Sequence, residues 1–156
     1  MTEPNIFHCC FAPEMNGLMK KNYSYSPEIR FGDIDAMGHV NNAVYLTFFE
    51  QARIHFFQVL ADGKWDWNKH GILVAKNEIN YVLPVFLTDK IDIRVSCTHV
   101  GNKSFTVTYE IYRGTELCAK GLSVLVCFNY MEKSSIAVPE IWREKLNAIM
   151  VESPKA

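Results

Sequence analysis

The sequence predicts an α+β domain in which one curled antiparallel sheet wraps around one long central helix. Three observations predict it. Apolar residues recur at three- and four-residue steps through Val44, Tyr45, Phe48, Phe49, Ala52, Phe56, Val59 and Leu60, the period of a helix face. Ile91, Ile93, Val95 and Cys97, and later Phe105, Val107, Tyr109 and Ile111, alternate with polar residues, the period of a strand with one face covered. Short links containing Gly101 and Gly114 join these stretches, as antiparallel hairpins require.

Taken in order, residues 1–21 show no clear periodicity and scatter Pro4, Pro13, Asn16 and Gly17 among apolar residues. They read as an N-terminal extension to a single domain over 22–156. From Tyr23 the apolar residues Tyr23, Tyr25, Ile29 and Phe31 fall on odd positions, the pattern of an extended segment, and Pro27 confines it to an edge or a bend. Asn41 and Asn42 offer helix caps before the long apolar stripe. Leu46, Ile54 and Phe57 add apolar groups off that stripe, so the helix is expected to be covered on more than one side. Asp62-Gly63 is the expected stop, followed by a loop with Trp65, Trp67 and His70. A weaker strand is expected over 73–83, ending before Pro84, then the two alternating strands and a longer apolar one over 117–128. A sheet of at least four strands results, with five the favoured count. Pro139 begins a short amphipathic C-terminal helix carrying Ile141, Trp142, Leu146 and Ile149.

Composition narrows the function. At 156 residues, with 49% hydrophobic and 21% charged residues, the chain has the size and make-up of one globular domain. A net charge of -1 leaves no surplus to neutralise a nucleic-acid backbone. No apolar run is long enough to span a bilayer, and no apolar segment follows a basic start, so no membrane partner is expected and a cytoplasmic location is. Five cysteines without a CxxC pair argue for buried free thiols rather than a zinc site or a disulfide framework. No P-loop or G-x-G-x-x-G is present, and Ser123 lacks a nucleophile-elbow turn.

Chemistry concentrates in the stretch FGDIDAMGHVNNAVYLTFFEQAR, residues 31–53. Asp33 and Asp35 precede a turn at Gly38 and then a helix start. The first N–H groups of a helix lack intrahelical partners and sit at the positive end of its dipole. They suit an oxygen that gains charge during reaction, and a carboxylate just upstream suits a nucleophile or a base for water. The ordinary alternative is that these aspartates make turns and caps. His39 reads either as a base or as a hydrogen-bonded structural histidine. Glu50 stands three residues before Arg53, so it either pairs with that arginine or lines a pocket.

The same stretch, followed by INYVLPVFLTDKIDIRV and VGNKSFTVTYEIY, resembles the 4-hydroxybenzoyl-CoA thioesterase-like acyl-CoA thioesterases of the hotdog superfamily over about residues 23–130. The resemblance implies the hotdog fold, hydrolysis of an acyl-CoA substrate without a metal or other cofactor, and homodimers or dimers of dimers whose active sites lie between subunits. It implies that Asp35 is the catalytic carboxylate and that the Asn42 backbone N–H polarises the thioester carbonyl. Glu50 matches an acidic helix position that can face the acyl pocket, and Gly38, His39, Tyr45 and Phe49 are the further expected substrate-binding positions. Asp33 carries over as a structural acid. Lys103 and Ser104 match a turn where relatives contact CoA phosphates, although Gly101 and Asn102 stand where some relatives have arginines. The acyl chain is expected among Phe48, Phe49 and their neighbours. The alternatives are a non-catalytic acyl-thioester binding module and an enzyme acting on acyl-carrier-protein thioesters.

Overall fold

The computed structural model describes residues 23–61 and 71–151. The extension over 1–21, the helix stop at Asp62-Gly63 and the loop with Trp65, Trp67 and His70 lie outside the described residues.

The described elements are β1 (Tyr23–Tyr25), α1 (Val44–Ala61), β2 (Gly71–Tyr81), β3 (Ile91–Val100), β4 (Ser104–Arg113), β5 (Glu116–Asn129), β6 (Ser134–Ser135) and α2 (Glu140–Ala148). All strand pairings are antiparallel, in the order β1-β3-β4-β5-β2, with β6 added to β5. The expected hairpins form at both short glycine links, and Gly114 takes a φ of 59°, which a side chain would resist. The expected β-order over 91–128 therefore holds. β2 has the expected length but begins and ends two residues earlier than the sequence suggests, and among the described residues it is an edge strand.

Strand alternation places Ile93, Val95, Cys97, Phe105, Val107, Tyr109, Ile111, Ala119, Leu125 and Cys127 on the inner face, all buried. Against that face α1 buries Tyr45, Phe48, Phe49, Ala52, Phe56, Phe57 and Leu60. The stripe read from the sequence is thus mostly right, with two exchanges: Phe57 is buried and Val59 is 48% exposed. Leu46 and Ile54 are exposed as well, so the described residues cover α1 on one side rather than on the several sides expected. The helix lies nearest β3 and β1.

The first strand is shorter than the odd-position pattern suggests. Phe31 falls in a 3₁₀ turn over Phe31–Asp33 and is 84% exposed; a salt bridge, not a strand ladder, sets the backbone there. Trp142 of α2 closes the far end of the core against Phe57 and Phe105, at ring separations of 5.0 and 6.0 Å. Lys145 donates to the Leu60 carbonyl near the C-terminal end of α1, where a cation suits the unpaired carbonyls. Cys97, Cys118 and Cys127 are buried free thiols; burial pushes Cys97 and Cys127 up to about 11.

Candidate active site

The loop before α1 is folded by its own polar groups. Arg30 grips the Asp33 carboxylate twice, Nη2 to Oδ1 at 2.8 Å and Nε to Oδ2 at 3.2 Å, while the Arg30 backbone N–H donates to Oδ2 at 2.8 Å. Asp33 is buried, and the Arg30 hydrogen bonds hold its carboxyl below the usual carboxylate range against the opposing pull of burial. Its carbonyl accepts the Asn41 N–H at 2.8 Å. Asp33 therefore closes the loop from beneath.

Above it, Ile34 bridges Val40, and the Asp35 N–H donates to the His39 carbonyl at 2.9 Å. Gly38 returns its N–H to the Asp35 carbonyl at 3.0 Å with a φ of 82°, a conformation costing a side-chain-bearing residue about 1 kcal/mol or more. The Met37 N–H takes Asp35 Oδ1 at 2.8 Å; Oδ2 has no partner among the described residues. Asp35 is half-buried. Val40 donates to the Val85 carbonyl at 2.8 Å, and the His39 ring meets Phe86 edge-on at 5.2 Å, which together seat the loop on the segment after β2.

At the helix start Asn41 is the cap. Its Oδ1 accepts the Ala43 N–H at 2.9 Å and its carbonyl accepts Val44 at 2.9 Å. The Asn42 N–H is left without a partner among the described residues, at the positive end of α1. The Asn42 carbonyl, in turn, accepts the Tyr81 hydroxyl at 2.9 Å. Tyr81 also meets Tyr45 edge-on at 5.0 Å. Tyr45 is buried, and loss of water contact pushes its hydroxyl up to about 12.

The remaining candidates are placed less alike. Glu50 is exposed, and the Glu50–Arg53 pair does not form; Arg53 Nη1 instead donates to the Tyr109 hydroxyl at 3.3 Å. Phe49 is core in this chain: it stacks on Tyr109 at 4.3 Å and 8°, over Gly121, where a Cβ would come within 2.3 Å of its ring. Phe48 is buried too. Leu46, like Glu50, is exposed on α1.

Lys103 and Ser104 are not brought to Asp35 within one chain. The row that meets Asn42 is Tyr81–Ala119–Ile111 across β2, β5 and β4. Ser104 lies seven residues before Ile111 on β4, roughly 23 Å along the strand. The Lys103 ammonium is fastened to Ser135, 2.9 Å from its carbonyl and 3.3 Å from its hydroxyl. A groove of about 450 Å³ opens on the outer face of the sheet beside Arg94, Thr108, Glu110 and Lys120, and none of the candidate residues lines it.

The sequence pattern of the thioesterase-like superfamily matches residues 29–146, which span the loop, α1 and the whole sheet beyond β1. The chain belongs to that superfamily. Among proteins of known name, this thioesterase-like chain is 29% identical over 127 residues to the long-chain acyl-CoA thioesterase FadM of Escherichia coli, covering 79% of this chain and 96% of FadM. It is 26% identical over 137 residues to a 1,4-dihydroxy-2-naphthoyl-CoA hydrolase of Gloeothece citriformis, covering 79% and 92%. A thioesterase of Thermus thermophilus solved with coenzyme A and zinc matches at a TM-score of 0.69 and 33% identity, covering 81% of this chain and 92% of that one. A predicted thioesterase of Bacillus stearothermophilus shares the fold at a TM-score of 0.77, over 85% and 99% of the two chains. The architecture is the hotdog fold of that superfamily.

Sequence reasoning missed Tyr81, Arg53–Tyr109 and a pair on the inner face, Ser123 and Asn77, whose Oγ and Oδ1 lie 2.6 Å apart. Only the parity of Asn77, Ile79 and Tyr81 along one strand pointed toward them. Among the described residues no cluster of three or more His, Cys, Asp or Glu could hold a metal, and no helix is long and apolar enough to cross a membrane.

Proposed function

We propose that this chain hydrolyses acyl-CoA thioesters to the carboxylic acid and CoA, working as a homodimer. The observation that carries the reading is one closed loop that holds the Asp35 carboxylate, next in the chain to a helix start at Asn42, with one Asp35 oxygen and the Asn42 N–H both unpaired among the described residues. A thioester carbonyl polarised by that N–H gains negative charge where the helix dipole favours it. Asp35 then acts in one of two ways. As nucleophile it adds to the carbonyl carbon; the C–S bond breaks, CoA leaves as the thiol after taking a proton, and water cleaves the mixed anhydride. As base it takes a proton from a water that attacks the same carbon directly. Gly38 sets the turn, His39 and Tyr45 support it through Phe86 and Tyr81, and Leu46, Glu50 and the edge of Phe49 flank the acyl group.

β2 supports the homodimer. It is an eleven-residue edge strand, and Leu73, Val74, Val82, Leu83, Phe86 and Leu87 are exposed on or just after it. Edges of this length and character invite pairing with another strand. An antiparallel β2–β2 pairing about a two-fold axis turns one sheet end for end against the other. The turn at Lys103 of the partner subunit then comes to the end of the sheet where Asp35 and Asn42 sit. That supplies the phosphate contact one chain cannot make for itself.

The test is thiol release from a panel of acyl-CoA substrates, with light scattering on the same sample. Turnover by a dimer is expected. Absence of turnover across aliphatic and aromatic acyl groups rejects the enzyme reading in favour of a binding module, and full activity in a Val74→Lys monomer rejects the shared site.

A further inference from the structure

Strand register arranges the inner wall of the sheet into rows. Tyr109, Gly121 and Ile79 form one row across β4, β5 and β2, and Val107, Ser123 and Asn77 form the next. The helix runs over these rows in order. Tyr81, one row earlier, holds Asn42; Phe49 covers Gly121; and Phe57 meets Phe105 beyond. Arg53, one turn after Phe49 and one turn before Phe57, bonds the hydroxyl of Tyr109, the residue that Phe49 stacks on. It therefore stands at the level of the Ser123 row.

That level is polar on the sheet side, at Ser123 and Asn77, and on the helix side, at Arg53, whereas Phe49, Ile79 and Val74 on the neighbouring levels are apolar. Ser123 is fully buried, and its bond to Asn77 Oδ1 leaves the Asn77 amide nitrogen, on an exposed strand position, as a donor facing outward. Opposite, the half-buried Arg53 guanidinium has no carboxylate partner among the described residues. A guanidinium or amide covered by hydrocarbon loses its water without gaining a replacement.

We infer that Arg53 and Asn77, backed by Tyr109 and Ser123, form a polar stop that ends the acyl slot and limits this enzyme to short and medium acyl groups. The inference rests on the proposed acyl-CoA hydrolysis and names the residues that set its chain-length preference. Two measures place the stop. Asn77 lies four strand residues from the Tyr81 row, about 13 Å, and Arg53 lies eleven helical residues from Asn42, about 16 Å. Because helical side chains lean toward the N-terminus, the Arg53 head falls nearer the lower figure. An alkyl chain that fills this distance is accommodated by apolar walls; a longer one must cover the two donors.

The experiment compares kcat/KM for hexanoyl-, octanoyl-, dodecanoyl- and palmitoyl-CoA in the unaltered protein, in Arg53→Met and in Asn77→Leu. The unaltered enzyme is expected to favour octanoyl- over palmitoyl-CoA, and each variant to raise the palmitoyl-to-octanoyl ratio at least tenfold. Asn77 occupies an exposed position on an edge strand, so its variant reads the stop even where Arg53→Met fails to fold. A preference for palmitoyl-CoA in the unaltered enzyme, or a ratio unmoved in the folded variants, overturns the stop while leaving the hydrolase reading intact. No hydrolysis of any acyl-CoA removes both.

Discussion

The Tyr81 hydroxyl, on the last residue of edge strand β2, donates to the Asn42 carbonyl at the start of α1 across 2.9 Å. This bond orients the peptide group that follows Asn42 and fixes the helix start against the strand, while the Asn42 N–H has no partner among the described residues. Removing the hydroxyl in Tyr81→Phe is expected to reduce kcat several-fold. Because Tyr81 is half exposed, stability should fall by no more than about 1 kcal/mol. Steady-state kinetics beside urea unfolding separates the two effects, and an unchanged kcat would mean the bond is only structural.

Asp35→Asn keeps the oxygen that caps the Met37 N–H, so the turn should survive. It removes the nucleophile or base. Turnover of the best acyl-CoA is expected to drop by about a hundredfold or more, with an unchanged circular dichroism spectrum. Near-normal turnover would return Asp35 to the ordinary role of a turn residue.

Gly121 is a packing requirement rather than a flexible point. A Cβ there would lie 2.3 Å from the Phe49 ring and 2.8 Å from the Glu78 carbonyl. Phe49 cannot retreat, because it is stacked on buried Tyr109. Gly121→Ala should therefore cost about 1–3 kcal/mol of stability as overpacking, read as a lower urea midpoint at constant slope.

The Arg30–Asp33 pair makes stability depend on pH in one direction. The folded-state Asp33 carboxyl is lowered by its Arg30 hydrogen bonds. Its contribution is present above the usual carboxylate range and is lost as pH falls through that range toward the lowered folded value. Arg30→Met should lower Tm near neutral pH, and the gap to the unaltered protein should narrow below about pH 4. A gap that stays constant down to pH 2 would show that Arg30 acts by packing alone.

Local patterning was enough to specify the element order, the two glycine hairpins, most of the α1 stripe and the loop from Asp33 to Asn42. All of these are local: period-two and period-3.6 patterning, caps and turns act between residues a few positions apart, so one chain read in order displays them. Only the tertiary structure decided which side of α1 stays open, and hence that Phe57 is core and Val59 is not. It alone made β2 an edge, matched Asn77 with Ser123 and Arg53 with Tyr109, and set Lys103 at the far end of the sheet from Asp35. Those relations join residues tens of positions apart through strand register, and register is fixed by the packing of the whole inner face, which no single stretch of sequence contains.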